Sequence, residues 1–343
     1  MKPEDVAVVI LNWNGRHHLE EYLPSVLKFT PEETAIWVAD NGSTDDSLEW
    51  LATHHPQRVK RLSLEKNWGF AEGYNSALKE ISAGVYVLLN SDVRVGPRWI
   101  ESTLDSMHAH GWSVASPMVV QDVNPGRLEH AGAAGGWMDR DGYPFCVGRI
   151  FDSCDLVADT PLIDREVFWA SGACFFVTCE AWQQAQGFDD SLFAHFEEID
   201  LCWRLKRLGH KVGSHGAVQV RHLGGGTLNV NSPFKTYLNF RNGLVVMLKN
   251  REGFWPVFMF RRMLLDGIAA FRMLSQGQWR LFLAVGQAHG ALYLRLPKTL
   301  IERRRLRHVA TTVGPHQGWW DKSIVWHHFI KGIRSVRDLP DIR

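Results

Sequence analysis

The sequence is short of the features that mark secreted proteins. Its 343 residues include five cysteines, an odd number, and none of them forms a CxxC pair. The N-terminal sequence MKPEDVAVVI has no basic stretch followed by an apolar run of signal-peptide length. These absences argue against a disulfide-built exported domain and predict a reducing, cytoplasmic compartment.

Long hydrophobic runs are also missing. A membrane-spanning helix needs roughly 18 uninterrupted apolar residues. The run GFWPVFMF stops at Arg261 and Arg262, and LFLAVGQAHGALYLRL is interrupted by Gln287 and His289. We therefore expect no membrane-spanning helix, while contact with a membrane surface stays open.

Two glycine-rich signatures of nucleotide enzymes are absent. No GxGxxG follows the first apolar run, VAVVIL at 6–11, which argues against a dinucleotide-dependent oxidoreductase. The next segment, NWNGRHH, offers Arg16 but no glycine-rich phosphate loop, which argues against a nucleotidyltransferase.

The net charge of +1 hides a strong asymmetry. Residues 241–343 contain 18 Lys and Arg against 6 Asp and Glu, whereas residues 1–240 contain 20 against 31. With 45% hydrophobic residues the chain is able to bury a full core. An acidic front part and a basic back part predict two regions, 1–240 and 241–343.

Four short apolar runs separated by helical patterns predict a parallel α/β sheet covered on both faces. They are VAVVIL (6–11), AIWVAD (35–40), VKRLSL (59–64) and VYVLLN (85–90). Ligands of such sheets bind beyond the carboxyl ends of the strands. The residues just after each run are therefore the candidate binding residues: Asn12 and Asn14, Asp40 and Asn41, Asn67 and Gly69, Asn90 and Asp92.

Two of these residues, Asp40 and Asp92, are candidates for ligand binding, and Asp40 also has a purely structural interpretation. Asp40 begins DNGSTD, which is typical of a turn that caps a helix, but at a strand exit it also fits a nucleobase or ribose ligand. Asp92 fits a ligand of Mg²⁺ or Mn²⁺, because these ions prefer carboxylate and phosphate oxygens together. Residues 121–170 carry turn signals and predict a mixed sheet edge or a lid.

Taken together, these segments resemble the family 2 glycosyltransferases with the GT-A fold, particularly the bacterial rhamnosyltransferase-like members. The matching pieces cover roughly residues 5–230: VVILNWNG, DNGSTDDS, NWGFAEGYNSAL, LLNSDV, SGACFFV, GFDDSLFAHFEEIDLCWRLKRLG and VRHLGGGT. The resemblance implies a mixed, mainly parallel sheet flanked by helices. It also implies inverting transfer of a sugar from a dTDP- or UDP-sugar to a saccharide hydroxyl, in cell-envelope polysaccharide synthesis.

The resemblance assigns roles residue by residue. It implies that Asp40 contacts the base and that a divalent metal is held by Asp92 and His222, with Asn90 standing where a full DxD motif has its first Asp. A mobile loop over the diphosphate is implied for glycines 224–226. The remaining positions that it implies for the nucleotide are Asn12, Asn14, Asn41, Asn67, Gly69 and Asn75. Trp169, Gly172 and Ala173 match the segment that lines the sugars, although a core aromatic is an equal interpretation of Trp169.

The stretch HFEEIDLCWR supplies candidates for a catalytic base. On a helical wheel Glu198 falls close to Leu205, Asp200 lies on the polar side within reach of Arg204, and Glu197 is intermediate. An acid beside the leucines would have a raised pKa, which suits proton transfer near neutrality. Glu198 is thus the first candidate and Glu197 the second, although relatives usually carry Asp there. A helix start rich in acids is the structural alternative.

The basic region 241–343 predicts helices, with Leu264, Leu265, Ile268 and Phe271 at amphipathic spacing. Its tryptophans and positive charge fit a surface on an anionic membrane, at the inner face, where the acceptor would be lipid-linked. The alternative is a helical region that forms a homodimer. No motif supports nucleic-acid binding. A non-catalytic nucleotide-sugar-binding protein is the alternative to an enzyme, but binding alone needs no base.

Overall fold

The structure is a computed structural model that describes residues 2–129, 133–224, 232–312 and 316–342. Its strands, in chain order, are β1 (Val6–Asn12), β2 (Ala35–Asp40), β3 (Val59–Ser63), β4 (Val85–Asn90), β5 (Val93–Arg94), β6 (Trp112–Gln121), β7 (Gly136–Asp139), β8 (Pro144–Cys146), β9 (Arg149–Ile150), β10 (Ser153–Cys154), β11 (Arg165–Glu166), β12 (Cys174–Thr178), β13 (Lys211–His222) and β14 (Trp319–Trp320).

The helices alternate with the first strands and then dominate the last third of the chain. They are α1 (Arg16–Phe29), α2 (Ser47–His54), α3 (Gly69–Lys79), α4 (Trp99–His110), α5 (Cys179–Ala185), α6 (Glu197–Arg207), α7 (Pro233–Asn250), α8 (Trp255–Ser275), α9 (Trp279–Val309) and α10 (Ile324–Phe329).

The main sheet is mixed, with a parallel half built from the predicted strands. In the described residues its order is β11-β13-β6-β12-β4-β1-β2-β3, and β5 pairs with β13. Strand β1 runs parallel to β2 and β4, whereas β12 is antiparallel to β4. The register sets Asn12 opposite Asp40 and Leu11 opposite Asn90. The polar strand exits therefore meet at one edge of the sheet, as predicted.

Both faces of this sheet are covered. Along β1, Ala7 and Val9 pack into one hydrophobic cluster while Val6, Val8 and Ile10 pack into another. Successive side chains of a strand point to opposite faces, so a strand buried on both sides must be apolar at every position. Burial on both faces thus explains why the apolar runs in the sequence are continuous.

Residues 121–170 are more ordered than their turn signals suggest. Strands β7 to β10 form a small second sheet, and β14 from the C-terminal region completes it by pairing parallel with β7. Trp319 and Trp320 are thus tied to this sheet by backbone pairing. The basic region is consequently packed onto the rest of the chain.

The predicted boundary between residues 240 and 241 falls inside α7. This helix is deeply buried along its C-terminal half, and Asn242 donates hydrogen bonds to the carbonyls of Leu192, Ala194 and His195. The helix thus supports the loop that leads into α6. The region after residue 240 is mostly helical, as predicted. No helix in the described part of the chain is long and apolar enough to cross a membrane.

Candidate active site

The exits of β1 and β2 are joined by a buried polar network. The Asn12 amide donates to Asp40 Oδ2 at 3.1 Å, and Asp40 Oδ1 accepts from the Ser43 backbone N–H at 2.8 Å. Asp40 is 1% exposed. Oδ1 therefore caps the turn, as the turn interpretation of DNGSTD expects, while Oδ2 ties the turn to Asn12 at the end of β1.

Asn14 stands at the open side of the same network. It adopts a left-handed backbone conformation with φ 49°, and its side-chain oxygen accepts from the Thr44 N–H at 2.7 Å. The Asn14 N–H in turn donates to Ser43 Oγ at 2.9 Å. These bonds hold the two loops side by side at the sheet edge.

Asn41 connects the end of β2 with the start of α3. Its amide nitrogen donates to Asn67 Oδ1 at 3.1 Å and to the Gly69 carbonyl at 2.9 Å, and its oxygen accepts from the Trp68 N–H at 3.1 Å. Gly69 has φ 77°, and a Cβ there would lie 2.5 Å from the Phe193 ring. The glycine of NWG is therefore required, because only a residue without a Cβ lets the backbone at position 69 pass this close to Phe193.

Asn75 does not join this group. Its amide donates to the Phe188 carbonyl at 3.0 Å and its oxygen accepts from the Phe188 N–H at 2.9 Å. Both ends of the side chain are thus used to clamp the segment after α5. The structure gives Asn75 a positioning contact away from the strand exits.

At the exit of β4 a histidine lies between two acids. Pairing of His222 with Val93 brings its Nε2 to 3.2 Å from Asp92 Oδ1, and the Asn90 amide lies 3.3 Å from the same nitrogen. On the other side of the ring, Nδ1 lies 3.3 Å from Glu129 Oε2. Asp92, Glu129 and His222 are all buried.

The two carboxylates determine the protonation of this histidine. Burial by itself would lower the pKa of His222, but hydrogen bonds to Asp92 and Glu129 raise that pKa to about 10. Burial would likewise raise the pKa of Asp92, and the His222 contact lowers it below its ordinary value. Glycines 225 and 226 of the predicted loop lie outside the described residues.

The acids of HFEEIDLCWR begin α6 after an unusual backbone. Phe193, His195 and Phe196 all have positive φ, between 65° and 71°. Non-glycine residues rarely adopt this conformation, and such residues concentrate at functional sites. The Asn242 amide bonds described above hold this loop in place. The helix start is thus directed by tertiary contacts rather than by local propensity.

Glu197 and Glu198 differ in burial and in proton affinity. Glu197 is 5% exposed, and burial together with the Glu198 charge raises its pKa well above the usual range. Glu198 is half-buried, and burial raises its pKa to about 7. One oxygen of each carboxyl group, Oε2, is buried without a hydrogen-bond partner. Of the two, Glu198 is the one that ionises near neutral pH.

Asp200 is paired as predicted, but its surroundings are not those of a polar face. Arg204 Nε lies 2.7 Å from Asp200 Oδ2, which confirms the predicted pair. Asp200 itself is fully buried, and Lys249 Nζ of α7 lies 2.8 Å from its other oxygen. The polar side predicted by the wheel was wrong, because α7 covers that side of α6.

The segment after residue 169 joins the acid helix to the β4 exit. Gly172 lies next to Glu198, because a Cβ added at Gly172 would be 3.7 Å from Glu198 Cγ, an ordinary van der Waals distance. The next residue, Ala173, accepts a hydrogen bond from the Asn90 N–H at 3.0 Å. Trp169 is buried, donates to the Trp137 carbonyl and packs on Gly136. Core packing thus accounts for Trp169.

A series of neighbouring residues therefore leads from Glu198 past Gly172 and through Ala173 and Asn90 to His222 and Asp92. The family model described as glycosyl transferase family 2 matches residues 7–152, which contain the predicted nucleotide residues and Asp92. An N-acetylglucosaminyl-diphospho-decaprenol L-rhamnosyltransferase of Mycobacterium tuberculosis is 27% identical over 248 residues, covering 64% of this chain and 80% of that protein. Residues 7–152 match family 2, and the protein is a glycosyltransferase.

Other relatives and solved structures agree with this glycosyltransferase assignment. A low-salt glycan biosynthesis hexosyltransferase of Haloferax volcanii is 21% identical over 252 residues, covering 70% of this chain and 74% of that protein. GalNAc-T7, solved with UDP, GalNAc and Mn²⁺, superposes with a TM-score of 0.59 at 17% identity and covers 95% of this chain but only 56% of its own. Residues 1–349 of Staphylococcus aureus TarS, solved with UDP-GlcNAc, superpose with a TM-score of 0.52 at 15% identity. That match covers 89% of this chain and 90% of the TarS chain. These likenesses show the GT-A fold.

Sequence reasoning missed two residues of the glycosyltransferase site. Glu129 lies in a turn-rich segment and reaches His222 only because its N–H pairs with the Val119 carbonyl beside β6. Asn242 acts at long range on the 192–195 carbonyls. No sequence pattern singled out either residue.

Proposed function

We propose that this glycosyltransferase moves a hexosyl or rhamnosyl group from a dTDP- or UDP-sugar to a hydroxyl of a saccharide acceptor, with inversion at the anomeric carbon. The observation that carries the proposal is the series of neighbouring residues from Glu198 to Asp92. It links Glu198, whose pKa burial raises to about 7, by way of Gly172, Ala173 and Asn90 to Asp92 and His222 at the strand exits, where nucleotides bind in such sheets.

Glu198 acts as the general base in this proposal. The acceptor hydroxyl must lose a proton as it attacks, and a base is most effective when its pKa lies near the working pH. Burial raises the pKa of Glu198 to about 7, while burial and the Glu198 charge raise the pKa of Glu197 well above its usual range, which disfavours the ionised form of Glu197. A single displacement with Glu198 on the acceptor side then inverts the anomeric centre.

The residues at the β4 exit fit a divalent metal. Asp92 offers one carboxylate, and His222 would offer its Nε2 once an ion displaces the proton there, with Glu129 on Nδ1 orienting the ring in the manner usual for metal-bound histidines. In the described part of the chain no group of three His, Cys, Asp or Glu side chains is placed to hold a metal ion alone. Mg²⁺ and Mn²⁺ commonly take only one or two carboxylates and complete their shell with substrate phosphates. When bound by Asp92 and His222, such an ion would neutralise charge on the departing diphosphate.

The acceptor that we propose is lipid-linked, at the inner face of the cytoplasmic membrane in cell-envelope glycan synthesis. Support comes from relatives whose names specify such acceptors: the diphospho-decaprenol rhamnosyltransferase above, and a diphosphoundecaprenol glucosyltransferase of Escherichia coli that is 29% identical over 100 residues. That second match covers 29% of this chain and 38% of the relative.

A donor screen tests the proposal. Release of nucleoside diphosphate is measured with dTDP-rhamnose, UDP-glucose and other nucleotide sugars, each with Mn²⁺, with Mg²⁺ and with a chelator. We expect release with at least one dTDP- or UDP-sugar and a loss of release on chelation. Absence of both turnover and binding with every donor would overturn the proposal.

Glu129→Gln is expected to weaken the apparent affinity for Mn²⁺ by about 10-fold to 100-fold, the usual loss when the orienting partner of a metal-binding histidine is removed. The neutral amide keeps the size of the side chain but is a weaker acceptor for the Nδ1–H of His222, so it holds the ring less firmly for a metal on Nε2. Titration of donor turnover with Mn²⁺ measures the change. Glu101→Gln on the half-buried face of α4 is the control, and an unchanged Mn²⁺ midpoint in Glu129→Gln would contradict the assigned role.

A further inference from the structure

Helix α8 carries an exposed apolar stripe that nothing in the described structure covers. At 100° per residue its members fall within roughly 80° of one another. They are Val257, Phe260, Leu264, Ile268 and Phe271, and each is more than half exposed. A stripe of this kind on a helix is expected to contact something other than water.

The stripe continues around the turn between α8 and α9. Leu274, Trp279 and Leu283 are 41%, 54% and 49% exposed, so the tip of this helical hairpin presents large apolar groups on both arms. Helix α10 adjoins the tip, because the Arg272 guanidinium lies 4.8 Å from the centre of the Phe329 ring. The apolar face is therefore broader than one helix.

The charges of the hairpin are mostly positive. Helices α8 and α9 together hold ten Arg and Lys residues and two acids, Asp266 and Glu302. Asp266 is buried, with Arg262 Nε 2.9 Å from its carboxylate, and Glu302, far from the tip, lies 3.9 Å from Lys298. The surface around the tip thus offers apolar side chains and the arginines Arg272 and Arg280.

We propose that this α8–α9 hairpin docks on an anionic phospholipid surface, with the apolar stripe at the acyl boundary and the arginines on the headgroup phosphates. Apolar residues on one face together with cationic side chains are the physical requirements for interfacial binding. A second copy of the chain is a poorer occupant, because pairing two such faces would bring the arginines of the tip, Arg272 and Arg280, close to their own copies.

The docking surface leads toward the active site. On α9, Gln287 lies on the same helical face as Leu283 and Leu294, and with Pro233, Phe234 and Tyr237 it lines a cleft of about 330 Å³. The Phe234 ring lies 6.2 Å from that of Phe193, the residue against Gly69. A lipid-linked acceptor would thus approach the site from the docked face. This step rests on the proposed function, whereas the docking itself does not.

Vesicle co-sedimentation tests the docking. Wild-type protein is expected to bind vesicles of phosphatidylcholine mixed with phosphatidylglycerol at least ~10-fold more tightly than phosphatidylcholine alone. The triple variant Phe260→Ser, Leu264→Ser, Ile268→Ser is expected to lose at least ~10-fold in that binding, because it removes three apolar side chains from the interface. Arg272→Gln with Arg280→Gln is expected to lose about 10-fold, and only on the anionic vesicles.

The matched control replaces three equally exposed apolar residues elsewhere: Val123→Ser, Leu162→Ser and Ile163→Ser. It should bind like wild type. Slow donor hydrolysis by water, which needs no lipid acceptor, is measured for every variant and should be unchanged. Equal binding of wild type to neutral and anionic vesicles, no binding to either, or a dimer by light scattering that the stripe variant converts to monomer would overturn the docking. Donor hydrolysis would then still report separately on the proposed function.

Discussion

Glu198→Gln is expected to lower the turnover number of the glycosyltransferase at least ~100-fold, the usual weight of a general base, while donor affinity is retained. Glutamine keeps the length and shape of the side chain beside Gly172 but does not accept a proton. Because the strand-exit residues are untouched, binding of the nucleotide should not change. Rapid-quench turnover and calorimetric titration of the nucleoside diphosphate measure the two quantities.

Glu197→Gln is the matched control for this prediction. Burial and the Glu198 charge raise the pKa of Glu197 well above its usual range, which disfavours the ionised form that a general base requires. Glu197→Gln should therefore lower the turnover number much less than Glu198→Gln does. Near-wild-type turnover in Glu198→Gln, or a larger loss in Glu197→Gln, would end the assignment of Glu198.

The same assignment fixes the direction of the pH dependence. The base works only when ionised, and burial raises the pKa of Glu198 to about 7. Turnover should therefore fall as the pH drops through about 7 and level off above that value. The Glu198→Gln variant should lack this limb, because it has no carboxyl group to titrate at that position.

Asp200→Ala is expected to reduce the free energy of unfolding by about 3–5 kcal/mol, the usual cost of breaking a buried ion pair. Asp200 accepts from Arg204 at 2.7 Å, and from Lys249 and Asn250 at 2.8 Å each. Removing the carboxylate leaves the buried cations of α6 and α7 without their shared partner. Urea unfolding of wild type and variant measures the loss.

An exposed ion pair with the same sequence spacing and the same N–O distance provides the control. Arg16 and Glu20 are also four residues apart, with N and O at 2.7 Å, but the Glu20 side chain is 62% exposed. Glu20→Ala should cost no more than about 1 kcal/mol, because water screens such pairs. Equal small losses in both variants would show that the Asp200 network does not stabilise the fold.

The parallel half of the sheet was predictable because its signals are local. Strands buried on both faces must be apolar throughout, and the chain must turn where each strand ends. The runs VAVVIL and VYVLLN therefore predict both the strands and the edge of the sheet where Asn12, Asp40 and Asn90 lie together. The motifs that resemble the glycosyltransferase family then supplied the order of the remaining pieces. No comparable local signal exists for β7 to β10, which depend on pairing across 136–154 and with β14.

The features that escaped prediction depend on distant contacts. A helical wheel treats α6 as an isolated helix with one solvent-exposed face, whereas in the structure α7 covers that face and buries Asp200. Glu129 reaches His222 through strand pairing about 90 residues apart in sequence, which no spacing rule encodes. Asn242 likewise acts on a loop nearly 50 residues earlier. Residue type alone therefore identified the acids but not their surroundings.

The anomeric configuration of the transferred sugar tests the central claim most directly. The product formed from a purified nucleotide sugar and its acceptor is analysed by NMR, alongside the donor. A single displacement with Glu198 as base predicts a configuration opposite to that of the donor. Retention of the donor configuration would contradict the account.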